Sequence, residues 1–229
     1  MNFEYTNINL FGFTVFEPIT ILTNLIIIVY GILVYNKLIG FDNSWLRSWA
    51  WFFLLMSISA MFGSISHGVH EQLGDVFLKV NWFLMNAFSL LSIYFFFKAA
   101  YQNLNPTKHD NKKWLNKLVV VWIIVLLITT YLMNSFLLIK IHAGIVLVYS
   151  LVAHYLTLRK QKQGGSILII SGIGLAFISI IIHSLKLSIG EWMNYKDIAH
   201  IFMFLSMFVI HKGVKHITAS ESIAEEIIS

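Results

Sequence analysis

The chain has 229 residues, 58% of them hydrophobic and only 12% charged, against the roughly 25% charged residues of a soluble domain. That balance excludes an ordinary soluble fold and marks a polytopic membrane protein. The absence of cysteine rules out disulfides and thiolate–metal chemistry, and a net charge of +5 needs no nucleic-acid partner, because basic loops orient membrane proteins. Residues 1–16 are polar and aromatic, with no basic region or cleavage site, so no cleavable signal peptide is expected.

A membrane span needs roughly 20 mainly apolar residues, and seven segments qualify, at about 17–38, 48–71, 77–100, 115–133, 137–158, 166–188 and 197–215. The expected fold is therefore all-α, a seven-transmembrane helix bundle forming one domain over residues 1–217. A short acidic C-terminal tail follows at 218–229. Glu17-Pro18 reads as the first helix start, since proline suits the first helical position. Asn24, about two turns deeper, must find a polar partner inside the bundle.

Lysine and arginine set the orientation. Lys37, Arg47, Lys98, Lys108, Lys112, Lys113, Lys117, Arg159, Lys160, Lys162, Lys212 and Lys215 fall on one side of the seven spans. Only Lys79, Lys140, Lys186 and Lys196 fall on the other. The positive-inside rule then places the N-terminus outside and the C-terminus in the cytoplasm.

The same arrangement gathers histidines at the outer ends. His67, His142, His183 and His200 each sit about one turn inside a span, and His70 lies at a span edge. Ionisable groups inside a bilayer are costly and mark functional sites, and neutral imidazole is the commonest ligand of transition metals. His67 and His70 share a helix face and can grip one ion or proton, although His70 beside Glu71 also suits a water boundary. Asp197 and His200 share another face; Asp197 there is a helix cap, a ligand or both. His142 and His183 read as core histidines bonded across helices. No lysine occupies the middle of the seventh span, which disfavours a retinal-type pigment.

Three segments carry a family resemblance. The run Glu17-Pro18-Ile19-Thr20 to Asn24 resembles the first-helix signature of the alkaline ceramidase-like membrane hydrolases. Gly63-Ser64-Ile65-Ser66-His67 is similar to that group's second-helix segment, and Asp197-Ile198-Ala199-His200 to its final-helix histidine motif. The wider superfamily also contains the adiponectin/progestin receptor group. The resemblance implies a zinc ion held by a second-helix histidine and by two histidines spaced His-x3-His on the seventh helix. It also implies a second-helix serine and a third-helix acid that assist hydrolysis of a lipid amide. Lys196 stands at the first position of that spacing, so Asp197 is the nearest substitute ligand. Ser66 with His70 keeps the family spacing, whereas Ser64 with His67 is one residue short. The third-helix acid is Asp75, or is replaced by Asn81.

The reading that follows is a divergent zinc-dependent hydrolase of a membrane lipid amide or ester in a bacterial inner membrane. His67 and His200 are the expected metal ligands, with Asp197 or His70 as the third. Ser64 or Ser66 would stabilise the oxyanion, and Asp75 would carry protons. The alternatives are a non-enzymatic sensor or structural protein of the same fold, and a proton- or metal-handling transporter.

Overall fold

A computed structural model describes residues 6–69, 71–105, 113–133 and 135–228, with side chains described outside 113–116 and 221–228. Among these residues a hairpin of β1 (Asn7–Leu10) and β2 (Phe13–Phe16) precedes seven helices. They are α1 (Pro18–Leu38), α2 (Ser44–Gly68), α3 (Asp75–Leu104), α4 (Lys113–Met133), α5 (Leu137–Gln161), α6 (Gly165–Leu185) and α7 (Tyr195–Ile228). Six of them are long and apolar enough to cross a membrane, consistent with an integral membrane protein. Seven spans were expected; α4 differs because its apolar part, Lys117–Met133, is shorter than the other six. α7 continues as helix through Thr218.

The bundle is all-helical as expected, and the short hairpin before it is an addition to that expectation. Asn7 pairs with Phe16 and Leu10 with Phe13. The two-residue turn, Phe11-Gly12, takes φ of 52° and 85°, the positive values that match a turn to the twist of its strands. The strands are four residues each and carry no long alternation, so the turn chemistry was the only sequence signal. Its consequence is the placement of Glu17. The Glu17 N–H donates to the Thr6 carbonyl at 2.8 Å, and its backbone is left-handed, at φ 46°. That conformation costs a non-glycine residue about 1–2 kcal/mol, and here it turns a buried carboxylate to the start of α1.

α1 buries Thr20, Thr23, Asn24, Ile27, Gly31, Val34 and Leu38, a stripe at three- and four-residue spacing. Leu22, Leu25, Val29 and Leu33 face outward, as a lipid-facing surface requires. α2 starts at Asn43, whose side chain accepts from the Trp45 and Leu46 amides, satisfying two of the free donors of a helix start. Lys162 and Lys186, both left-handed, terminate α5 and α6.

Each helix packs on its neighbours in one circuit. α1 touches α2 and α7, α2 touches α3, α3 touches α5, α5 touches α6, and α6 touches α7. Six helices thus close a ring, with α4 outside it against α3 and α5. Trp49 and Phe53 of α2, Phe96 of α3 and Ile210 of α7 are core residues of this ring, with Trp49 edge-on to Phe96 at 5.3 Å.

The α6–α7 contact is the closest. A methyl group built on Gly213 would lie 2.8 Å from the Gly165 carbonyl oxygen and 3.0 Å from the Ile169 nitrogen. Small residues let helix backbones meet where the surrounding lipid offers no hydrophobic drive. Backbone atoms cannot move aside as a side chain can. Gly213→Leu is therefore expected to destabilise the bundle by about 1–3 kcal/mol, read as a lower unfolding midpoint in detergent. Gly174→Leu is the control, because nothing lies within 4 Å of its added carbon.

Candidate functional site

Polar residues of α1, α2 and α7 meet at one end of the ring. Glu17, Thr20, Thr23 and Asn24 recur at three- and four-residue spacing on an apolar helix, so they present one face. Glu17, Thr20, Thr23 and Asn24 are all buried. Their partners come from α2 and α7. His67 Nδ1 lies 2.7 Å from Glu17 Oε2, and Lys196 Nζ donates to Glu17 Oε1 at 2.5 Å. One carboxylate thereby joins three helices.

The second tie runs between α1 and α7. Thr20 Oγ1 donates to Asp197 Oδ1 at 2.5 Å, and the Asn194 N–H donates to Asp197 Oδ2 at 2.8 Å. Asn194 Oδ1 in turn accepts from the Lys196 N–H at 2.8 Å. Asn194 and Asp197 are thus the reciprocal pair of a capping box at the start of α7. Both Asp197 oxygens are committed. The cap is Asn194, three residues before the aspartate expected to serve as one.

The third tie fixes a tautomer. Thr23 Oγ1 donates its only proton to the Thr20 carbonyl at 3.0 Å, so at 3.3 Å it accepts from His200 Nδ1. A neutral His200 therefore carries its lone pair on Nε2. The carboxylate beside His67 Nδ1 likewise makes that nitrogen the donor and Nε2 the basic one. The two rings, with 132 residues between them in the chain, approach to 6.5 Å between centroids at an interplanar angle of 66°.

Not every expected residue joins them. Ser66 Oγ accepts from Asn81 Nδ2 at 2.6 Å, in the contact between α2 and α3. Asp75 is exposed at the first position of α3, where a carboxylate complements the helix dipole. Ser64 lies one turn below His67 on α2, and its buried Oγ has no hydrogen-bond partner among the described residues. His142 accepts from Trp122 Nε1 of α4 at 3.4 Å, pairing α5 with α4. His183 of α6, by contrast, borders the site: it meets Tyr195 edge-on at 5.3 Å and lies within electrostatic reach of His67, Lys196 and His200. His70 falls outside the described residues.

Burial acts to raise the Glu17 pKa, but the hydrogen bond and charge of His67, then those of Lys196, outweigh it. The carboxyl is held at about 2, against an ordinary 4.5. Glu17 is thus an anion throughout the physiological range. The sequence hid its role, because a glutamate before proline at a helix start has a sufficient local explanation. Its spacing from Thr20, Thr23 and Asn24 was the signal.

The donors that meet among the described residues do not complete a zinc site. A catalytic zinc takes three protein ligands and keeps one position open. His67 and His200 face each other, but Lys196, at the first position of the expected pair, offers donors without a lone pair while it is charged. Glu17 is paired with His67 and Lys196, and each Asp197 oxygen accepts a hydrogen bond, from Thr20 and from the Asn194 amide. Among the described residues no three histidine, aspartate or glutamate side chains form a metal set.

Residues 19–219 match the model of a family of unknown function, DUF6962, and the chain belongs to that family. The match takes in His67, Lys196, Asp197 and His200, and begins two residues after Glu17. No curated protein and no solved structure matches the chain.

Proposed function

We propose that this protein is a membrane hydrolase of a lipid amide or ester, in which His67, oriented by Glu17, is the general base. The observation that carries the proposal is the 2.7 Å contact between His67 Nδ1 and Glu17 Oε2. A buried carboxylate on one ring nitrogen orients the imidazole and leaves the other nitrogen to accept a proton. The His67 side chain keeps 25% of its surface exposed, so the protein leaves an approach to it open. In the proposed step, water gives a proton to His67 Nε2 while its oxygen bonds to the acyl carbon. The carbonyl electron pair moves to oxygen, and the resulting oxyanion is stabilised by the Lys196 ammonium. Collapse restores the carbonyl and expels the amine or alcohol, which takes the proton from His67.

The charge asymmetry of the loops supports an outward-facing site with the C-terminus in the cytoplasm, and a bacterial inner membrane is the proposed location. Reporter fusions at Ser229 and within residues 103–111 should both report cytoplasm; a periplasmic signal from either reverses the orientation. For the reaction, purified protein is incubated with long-chain acyl amides and acyl esters in mixed micelles, and fatty-acid release is measured by mass spectrometry. Release by the wild type supports the hydrolase.

A second reading, a structural tie without catalysis, is favoured by one observation. Glu17, Thr20, Lys196 and Asp197 fasten α1 to α7 whether or not a substrate binds. No acyl release from any amide or ester, together with a lower unfolding midpoint for Glu17→Ala, selects that reading.

A further inference from the structure

We infer that the Lys196 ammonium stands in for a divalent metal at this site, so that the site is complete in charge without one and rejects zinc. The inference deepens the hydrolase reading by naming the cation, but its test does not depend on turnover. Four observations carry it. Two imidazoles from α2 and α7 face each other at 6.5 Å, each with an oxygen on Nδ1 and hence with Nε2 as its basic atom. Oxygen partners on the far nitrogen are what orient metal-binding histidines. Lys196 lies one turn before His200 on the same face of α7, so its side chain reaches the same end of the bundle. Its ammonium is bonded to Glu17 at 2.5 Å, on the carboxylate that also holds His67.

That bond decides the electrostatics. Glu17 is the nearest buried anion to His67, and the ammonium already supplies its counter-charge. A zinc ion beside His67 and His200 would meet a fixed like charge at short range, and would gain no lone pair from it. Asp197 is held in its cap by Thr20 and the Asn194 amide, one hydrogen bond on each oxygen. A single change of residue 196 therefore switches the site between the two kinds of cation.

The test uses the full chain in detergent, equilibrated with excess zinc, desalted and analysed for metal. The wild type is expected to retain little, below about 0.1 zinc per chain, because no third ligand joins His67 and His200 among the described residues. Lys196→His should retain about one zinc per chain, with an unfolding midpoint that zinc raises and chelator lowers again. Adding His67→Ala to that variant should remove the metal, placing it at this site. Stoichiometric zinc on the wild type overturns the inference, as does a folded Lys196→His that retains none. If Lys196→His does not fold, the wild-type metal content alone decides. Absence of hydrolysis would remove the proposed reaction and leave this result standing.

Discussion

Glu17→Ala should cost this protein more stability than removal of any one of its histidines. The substitution leaves the Lys196 ammonium and the His67 ring without their shared carboxylate at the end of three packed helices. Breaking a buried ion pair by removing one partner costs about 3–5 kcal/mol. Lys196 keeps 14% of its side chain exposed and can lean towards water, so the lower end, about 3 kcal/mol, is expected. Glu17→Ala combined with Lys196→Met should recover part of that loss, since neither charge is then stranded. The acid dependence follows from the same contact. The folded Glu17 pKa lies below its ordinary value, so its contribution is present above about 4.5 and disappears as pH falls towards about 2. Unfolding midpoints of the wild type should fall through that window, and those of Glu17→Gln should be flatter there. Equal slopes would show that the carboxylate is not held by charge.

His67→Ala should remove acyl hydrolysis while leaving the bundle folded. General-base catalysis contributes about 10²–10⁴-fold, and no second imidazole of this site has a carboxylate on Nδ1: His200 has a threonine hydroxyl. His200→Ala should therefore reduce turnover less than His67→Ala. Ser66→Ala should act through stability, because its hydroxyl accepts from Asn81 in the α2–α3 contact. The loss of that one bond is worth about 1 kcal/mol. A His67→Ala protein with wild-type turnover would transfer the base role elsewhere.

The bundle was legible because lipid imposes a strong pattern: long apolar runs, polar loops and glycines where helices meet. The convergence of His67 and His200 was legible for the same reason, since each is an expensive group one turn inside a span, on the same side of the charge count. What was not legible is how the polar groups divide their bonds. Asp197 and His200 share a face, which suited a common ligand, but the capping box with Asn194 and the Thr20 hydroxyl take both carboxylate oxygens. Ser66 sits one residue from His67 and so points to a different neighbour, Asn81. Lys196 departs from the His-x3-His pattern. Only the ion pair with Glu17, nearly the full length of the chain away, shows what it does. The hairpin that delivers Glu17 depends on a two-residue turn too short to leave a periodic signal.

The most direct test of proton chemistry without a metal is acyl release by the wild type after exhaustive chelation. Turnover of the lipid amide or ester that proves to be the substrate should stay within about twofold of the untreated protein, because His67 and Glu17 supply the base and Lys196 the charge. Turnover that disappears on chelation and returns with stoichiometric zinc would contradict the account.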